Sequence, residues 1–241
     1  MTADESYFAN SPYAKYRLDE IKRKIRYVPM DIMLIGATGA GKSSTLNALL
    51  GGEFAKIGHG VDPETKEIKD YMLNEYIRLW DTPGLGDNPV DDAVYVQKSI
   101  KLLKRRYSGG NDLSGGYLID MAVVLVDGSS KDIGTVYTIL NGFLFDSIEA
   151  SRVLVVVNQA DMAMKGRHWN NEPDDVLNKF LEEQALSLQK RIHETTGHRI
   201  KKPLFYSAKN SFNLYSLMDY IVDSFKWEQR NWAGGKKKSD P

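Results

Sequence analysis

The sequence contains no cysteine among its 241 residues, which excludes disulfide bonds, thiolate metal sites and cysteine nucleophiles. It also lacks a surplus of either charge, because 32 Lys and Arg residues balance 32 Asp and Glu residues. A zero net charge gives no strong signal for nucleic-acid binding, which favours a basic surplus or a basic face. No apolar run approaches the roughly 20 residues of a membrane-spanning helix, and residues 1–10 lack the apolar core of a secretory signal. We therefore expect a cytoplasmic protein.

Apolar residues make up 42% of the chain, enough for one sizeable core. Two short, wholly apolar runs have the composition of parallel strands that are covered on both faces. Helical patterns separate the strand patterns, which predicts a doubly wound α/β sheet with ligands at the carboxyl ends of its strands. The strands are expected at 31–35, 66–73, 76–80, 121–126, 153–157 and 203–206. The helices between and after them are expected at 45–50, 91–106, 133–146, 174–196 and beyond 206.

The two ends of the chain differ from its middle. Residues 12–28 form a basic, amphipathic pattern in which Leu18, Ile21 and Ile25 share one helical face. We predict an N-terminal helical extension over 1–29, and we favour its packing on the domain over contact with a partner or a membrane surface. The segment 227–241 is predicted to be a flexible tail.

A glycine-rich segment stands between the first predicted strand and the helix that follows it. Residues 36–43 read Gly-Ala-Thr-Gly-Ala-Gly-Lys-Ser, which matches the phosphate-loop pattern G-x-x-x-x-G-K-[ST]. Such a loop points backbone N–H groups at phosphate oxygens, and the following helix adds the positive end of its dipole. Lys42 is predicted to reach the β- and γ-phosphates, and Ser43 to bind Mg²⁺ through its hydroxyl. The predicted phosphate-binding residues are Thr38, Gly39, Ala40, Gly41, Lys42, Ser43 and Ser44.

A second polar segment, residues 158–161, follows the apolar strand 153–157 and reads Asn-Gln-Ala-Asp. Asp161 can accept hydrogen bonds from guanine N1–H and from the exocyclic amine, whereas adenine has neither donor at those positions. A desolvated carboxylate without partners is costly, so Asp161 predicts selection of guanine and argues against an ATP-using protein. Asn158 has two candidate roles: a hydrogen bond to guanine O6, or a tie between loops.

In their order along the chain, five segments resemble the five nucleotide-binding motifs of translation-factor-class GTPases. They are residues 36–43, Thr65, residues 81–84 (Asp-Thr-Pro-Gly), residues 158–161 and residues 207–209 (Ser-Ala-Lys). Within that class, residues 58–65 and 81–87 are most similar to the Era-like and prophage-type YfjP branch. The resemblance covers 30–226 and implies a P-loop NTPase G domain, with a mostly parallel six-stranded sheet, one antiparallel edge strand and helices on both faces. It implies GTP and GDP as substrate and product, with Mg²⁺ as cofactor.

The resemblance also assigns roles to single residues. Asp81 would orient Mg²⁺ through water, Thr65 would join the Mg²⁺ in the GTP state, and the Gly84 N–H would contact the γ-phosphate. The expected metal residues are Ser43, Thr65 and Asp81, and the expected catalytic residues are Lys42, Thr65 and Gly84. The residues expected around the base are Asn158, Gln159, Asp161, Ser207, Ala208 and Lys209.

Two positions depart from the family pattern, and a third lacks a side chain that some GTPases use in hydrolysis. Gln159 replaces a lysine that stacks on the purine, which removes a cation–π contact. Gly39 stands where potassium-dependent relatives carry asparagine, which argues against potassium activation. Leu85 stands where some GTPases carry a glutamine that orients the attacking water, and His59 is a weak substitute for that glutamine.

We therefore predict a GTP-binding conformational switch that hydrolyses GTP slowly and is stimulated by dimerisation or by a partner. Relatives with an apolar residue at the position of Leu85 often dimerise across the nucleotide face, so we expect GTP-dependent self-association. The alternative is a nucleotide-gated binding module with negligible hydrolysis. The effector and the pathway stay open.

Overall fold

The computed structural model describes residues 11–24, 29–55, 67–106, 117–129 and 133–225. The predictions for Ile25, His59, Thr65 and the tail 227–241 lie outside these residues. Within the described ranges, no helix is both long and apolar enough to cross a membrane.

Six strands form one sheet. They are β1 (Met30–Gly36), β2 (Lys69–Asn74), β3 (Ile77–Asp81), β4 (Met121–Asp127), β5 (Val153–Asn158) and β8 (Leu204–Phe205), and their spatial order is β2-β3-β1-β4-β5-β8. All neighbours pair in parallel except β2 and β3, which are antiparallel and place β2 at the edge. This confirms the predicted mostly parallel sheet with one antiparallel edge strand. A separate hairpin joins β6 (Trp169–Asn170) to β7 (Glu172–Pro173).

Helices cover both faces of the sheet, as predicted. They are α1 (Pro12–Lys15), α2 (Leu18–Lys24), α3 (Lys42–Leu50), α4 (Pro89–Leu103), α5 (Gly134–Ile139), α6 (Phe145–Ser147), α7 (Asp175–Thr196) and α8 (Leu214–Ser224). A π-helical turn, Leu140–Leu144, joins α5 to α6, so the predicted helix 133–146 is one helical stretch. A short 3₁₀ segment occupies Ala150–Arg152, and short helical turns interrupted by non-helical backbone at Ala163, Met164 and Lys165 occupy Ala160–Gly166.

The core has two halves because successive strand residues point to opposite faces. In β1, Met33 and Ile35 pack with α4, α5 and α7, whereas Ile32 and Leu34 pack with α1, α2, α3 and α8. The central strands β1, β4 and β5 are buried along almost their whole length. Their carboxyl ends therefore meet at one edge of a rigid sheet, and the predicted site residues follow those ends.

The expectation of one continuous helix over 12–28 is wrong. The helical stretch is broken at Tyr16–Arg17, where Arg17 has a left-handed φ of 53°. The break allows both side chains to reach α8, since the Tyr16 hydroxyl donates to Asp219 at 3.1 Å and the Arg17 guanidinium contacts Asp219 and Asp223 at 3.0 and 2.7 Å. Ile21 is fully buried against the domain, so the two short helices pack on it, which is the arrangement that we favoured.

Candidate nucleotide-binding site

The phosphate loop runs from the end of β1 to the start of α3, as the motif requires. Gly41 precedes Lys42 with a φ of 86°, a left-handed conformation that side chains rarely adopt. A Cβ atom on Gly41 would also lie 2.1 Å from Nδ2 of Asn158. Both the left-handed turn and the close approach of residues 158–161 therefore require glycine at this position.

Lys42 is buried at the start of α3, with its ammonium folded back over the loop. Its Nζ donates to the carbonyl oxygens of Gly36 at 3.1 Å and Ala37 at 2.9 Å. Burial lowers the pKa of Lys42 to about 8, although Asp81 and Asp87 act in the opposite direction. The desolvated ammonium thus contacts two neutral carbonyl groups, and a polyphosphate bound in the loop would supply an additional counter-charge.

The two described residues of the predicted metal set are brought together. Ser43 follows Lys42 in α3 and Asp81 ends β3, and because β1 and β3 are parallel neighbours these two places adjoin. The Ser43 hydroxyl donates to Oδ2 of Asp81 at 2.9 Å. Hydroxyl and carboxylate oxygens are the hard ligands that Mg²⁺ prefers, so this donor set fits the ion. The remaining member, Thr65, lies outside the described residues.

Asn158 ends β5 and joins the two halves of the site. Its Nδ2 donates to the Ala40 carbonyl at 3.1 Å, and its Oδ1 accepts from the Ala208 N–H at 3.0 Å. Of the two roles left open by the sequence, these contacts correspond to the tie between loops. Gln159 adds a further tie, because its Nε2 donates to the Gly39 carbonyl at 2.8 Å.

Asp161 follows Ala160, whose N–H donates to the carbonyl of Tyr206 at 3.1 Å, just before residues 207–209. Only 7% of the surface of Asp161 is exposed. Its Oδ1 is buried, and within the described part of the chain it has no hydrogen-bond partner. Ser207 and Ala208 are buried, whereas Lys209 is exposed. A buried carboxylate oxygen without a donor is costly, and the N1–H and amine of guanine are donors of the required kind. The residues at this end of the site therefore fit a guanine base.

Two supports of the base-binding loop were not predicted from the sequence. The buried hydroxyl of Tyr206 lies 2.7 Å from Oγ1 of Thr45 in α3, and burial raises the pKa of this phenol. Trp169 of the hairpin packs edge-on against Phe212, with ring centroids 5.3 Å apart. Phe212 in turn exchanges two backbone hydrogen bonds with Ser207. These partners are distant in sequence, so no local pattern points to them.

The segment after Asp81 is docked on the phosphate loop. The Thr38 N–H donates to the Leu85 carbonyl at 2.9 Å, and the Leu85 N–H donates to the Gly36 carbonyl at 3.3 Å. The Leu85 side chain is buried in the core and carries no polar group that could orient an attacking water. The next residue, Gly86, is held by Asp92 of α4, whose two carboxylate oxygens each lie 3.0 Å from its N–H. Asp92 is another contact that the sequence did not reveal.

Comparison with known proteins supports the assignment of a GTPase nucleotide site. Residues 31–190 match the sequence family described as 50S ribosome-binding GTPase. YfjP of Escherichia coli K12, an uncharacterized protein, is 25% identical over 178 residues, which cover 73% of this chain and 54% of YfjP. GTPase Era of Campylobacter concisus is 36% identical over 73 residues, which cover 29% of this chain and 25% of Era. The predicted similarity to Era-like proteins and YfjP is confirmed. The chain spans about half the length, or less, of the first curated relatives that it matches.

Solved structures confirm the P-loop GTPase fold. A dimerization-deficient mutant of Toc33 from Arabidopsis thaliana superposes with a TM-score of 0.64 at 16% identity, over 91% of this chain and 95% of Toc33. A second solved structure superposes with a TM-score of 0.63, and its description says that dimerization is important for the GTPase activity of Toc33 and Toc159. At this level of identity, the likeness concerns the fold alone.

Proposed function

The chain belongs to the 50S ribosome-binding GTPase family, and we propose that it is a Mg²⁺-dependent switch that binds GTP and hydrolyses it slowly to GDP and phosphate. A GTP-binding G domain is common to the family. The choice of guanine, the metal ligands, the slow turnover and the coupling to self-association are our proposals for this chain.

The buried Oδ1 of Asp161, which has no hydrogen-bond partner among the residues that the structure describes, carries the proposal. An isolated carboxylate oxygen at a buried position is costly, and a ligand that donates N–H groups removes that cost. Guanine presents two such donors side by side, and Asn158 holds the surrounding loops in register with the phosphate loop. The purine and the phosphates would therefore bind to two ends of one rigid frame.

The phosphate end supplies charge and positioning, which phosphoryl transfer needs more than covalent chemistry. The Lys42 ammonium would leave its carbonyl partners for the β- and γ-phosphate oxygens. Mg²⁺, held by Ser43 and by Asp81 through water, would neutralise developing charge on the phosphates when bound. Leu85 offers no group to orient the attacking water, so unassisted turnover should be on the order of 10⁻⁴–10⁻² s⁻¹.

We propose that a second copy of the chain accelerates this slow step. Val90 and Val94 lie on α4, directly after the loop at residues 84–86, and are 73% and 49% exposed. Exposed apolar side chains beside the segment that would contact the γ-phosphate suit a contact that forms only in the GTP state. The description of one solved structure links dimerization to the GTPase activity of Toc33 and Toc159, which is a precedent for stimulation by a second copy.

Phosphate release measured at rising protein concentration tests the proposal. We expect turnover per molecule to increase with concentration, and we expect the complex with a GTP analogue to sediment faster than the GDP complex. Val90→Asp should remove both effects. Leu186→Asp changes an equally apolar, 54% exposed position on α7 and should keep them. Equal sedimentation of the two nucleotide complexes would refute GTP-dependent self-association.

The alternative function is a nucleotide-gated binding module, and the buried side chain of Leu85 favours it. Such a protein would bind GTP and GDP with different consequences for a partner, but would release no phosphate. Absence of phosphate release at every protein concentration would replace the GTPase proposal with this alternative.

A further inference from the structure

Thr38 contains a buried hydroxyl that the described residues leave without a hydrogen bond. Its Oγ1 has almost no accessible surface and no partner among the described residues. The backbone of Thr38 is engaged in the docking of the neighbouring segment, since its N–H donates to the Leu85 carbonyl at 2.9 Å. The side-chain hydroxyl, in contrast, has no acceptor among the described residues.

The position of this hydroxyl is defined by Gly84. A Cβ atom on Gly84 would lie 2.3 Å from Oγ1 of Thr38 and 2.6 Å from its Cα atom. The hydroxyl therefore lies between the phosphate loop and the Asp-Thr-Pro-Gly segment. That junction is where the terminal phosphate of GTP has to lie if Lys42 and the Gly84 N–H both contact it.

We propose that the Thr38 hydroxyl donates a hydrogen bond to the γ-phosphate and thereby makes the site prefer GTP over GDP. The inference rests on the proposed function, and it adds a side-chain contact to a loop that otherwise binds phosphate through its backbone and Lys42. An unsatisfied buried hydroxyl is destabilising in the free protein. A triphosphate supplies the charged acceptor, whereas a diphosphate leaves the hydroxyl unsatisfied.

Thr38→Val tests this contact because valine keeps the branched shape and loses only the hydroxyl. Calorimetric titrations with Mg²⁺ would measure the affinities for GDP and for a non-hydrolysable GTP analogue. We expect the preference for the analogue over GDP to fall about tenfold or more, the range of a hydrogen bond to a charged acceptor. Thr38→Ser restores a hydroxyl and should restore most of the preference. Thr138→Val, at an exposed position on α5 whose hydroxyl donates to the Gly134 carbonyl, should leave the preference unchanged.

Thermal unfolding without nucleotide gives an independent readout. Thr38→Val should be as stable as the parent protein or more stable, because it removes an unsatisfied group. A preference unchanged in Thr38→Val, or reduced equally in Thr38→Ser, would overturn the inference while leaving guanine-nucleotide binding intact. Failure of the parent protein to bind either nucleotide would instead refute the proposed function and the inference together.

Discussion

Replacing Asn158 by alanine removes the side chain that ties the phosphate loop to the base-binding loop. The buried carbonyl of Ala40 loses its donor at 3.1 Å, and the buried N–H of Ala208 loses its acceptor at 3.0 Å. Each buried group left unsatisfied costs about 1–3 kcal/mol. Because both groups contact the same side chain, their costs need not add in full, and we expect a combined loss of roughly 2–4 kcal/mol in the free energy of unfolding. For a domain of this size, that loss corresponds to a decrease in Tm of about 5–15 °C.

Thermal unfolding followed by circular dichroism, with no nucleotide present, measures this loss. Asn178→Ala is the matched control, since its amide also donates to a backbone carbonyl, that of Pro173 at 3.2 Å, but at an exposed position. Substitution at such an exposed site should change the free energy of unfolding by less than about 0.5 kcal/mol. If Asn158→Ala melted within about 2 °C of the parent protein, the tie between the loops would contribute nothing and the reasoning would be refuted.

Three further predictions concern the phosphate end of the site. Burial lowers the pKa of Lys42 to about 8, and a bound polyphosphate favours the protonated form, so binding of GTP at pH 8 should take up about half a proton. Calorimetry in buffers of different ionisation enthalpy measures this uptake. A binding enthalpy that does not depend on the buffer would contradict the prediction. Gly41→Ala should lower the free energy of unfolding in urea by more than Gly197→Ala does. Both sites have left-handed backbones, but only the Cβ at position 41 would meet Asn158. Equal decreases in the two variants would show that backbone strain alone acts and that the contact with Asn158 does not matter. Removal of Mg²⁺ with EDTA should weaken GTP binding about tenfold or more, and an unchanged affinity in the same titration would count against the metal assignment.

Much of the sheet and the phosphate site could be predicted because their signals are local. The apolar runs at 121–126 and 153–157 lie within β4 and β5, and the spacing of glycines before Lys42 fixes a loop between a strand and a helix. The helix α4 begins at Pro89 because Asn88 caps it by accepting from the Val90 N–H. These features depend on neighbours in the sequence, which a single sequence displays.

The remaining features depend on contacts between distant segments. The break at Tyr16–Arg17 follows from acidic partners on α8, about 200 residues away, which the helical pattern of 12–28 does not reveal. The role of Asn158 stayed open because the choice between guanine and the Ala40 carbonyl depends on how closely the loops approach. The buried oxygens of Thr38 and Asp161 likewise become visible only when their surroundings are known.

The measurement that most directly tests the choice of guanine is nucleotide binding by the Asp161→Asn variant. Losing two charge-assisted hydrogen bonds should weaken GTP binding about 100-fold or more. The asparagine amide can donate to the second carbonyl of xanthine, so binding of XTP should increase. Asp175→Asn, at an exposed position in the first turn of α7, should bind GTP like the parent protein. An unchanged GTP affinity in Asp161→Asn would contradict the assignment of Asp161 as the residue that recognises guanine.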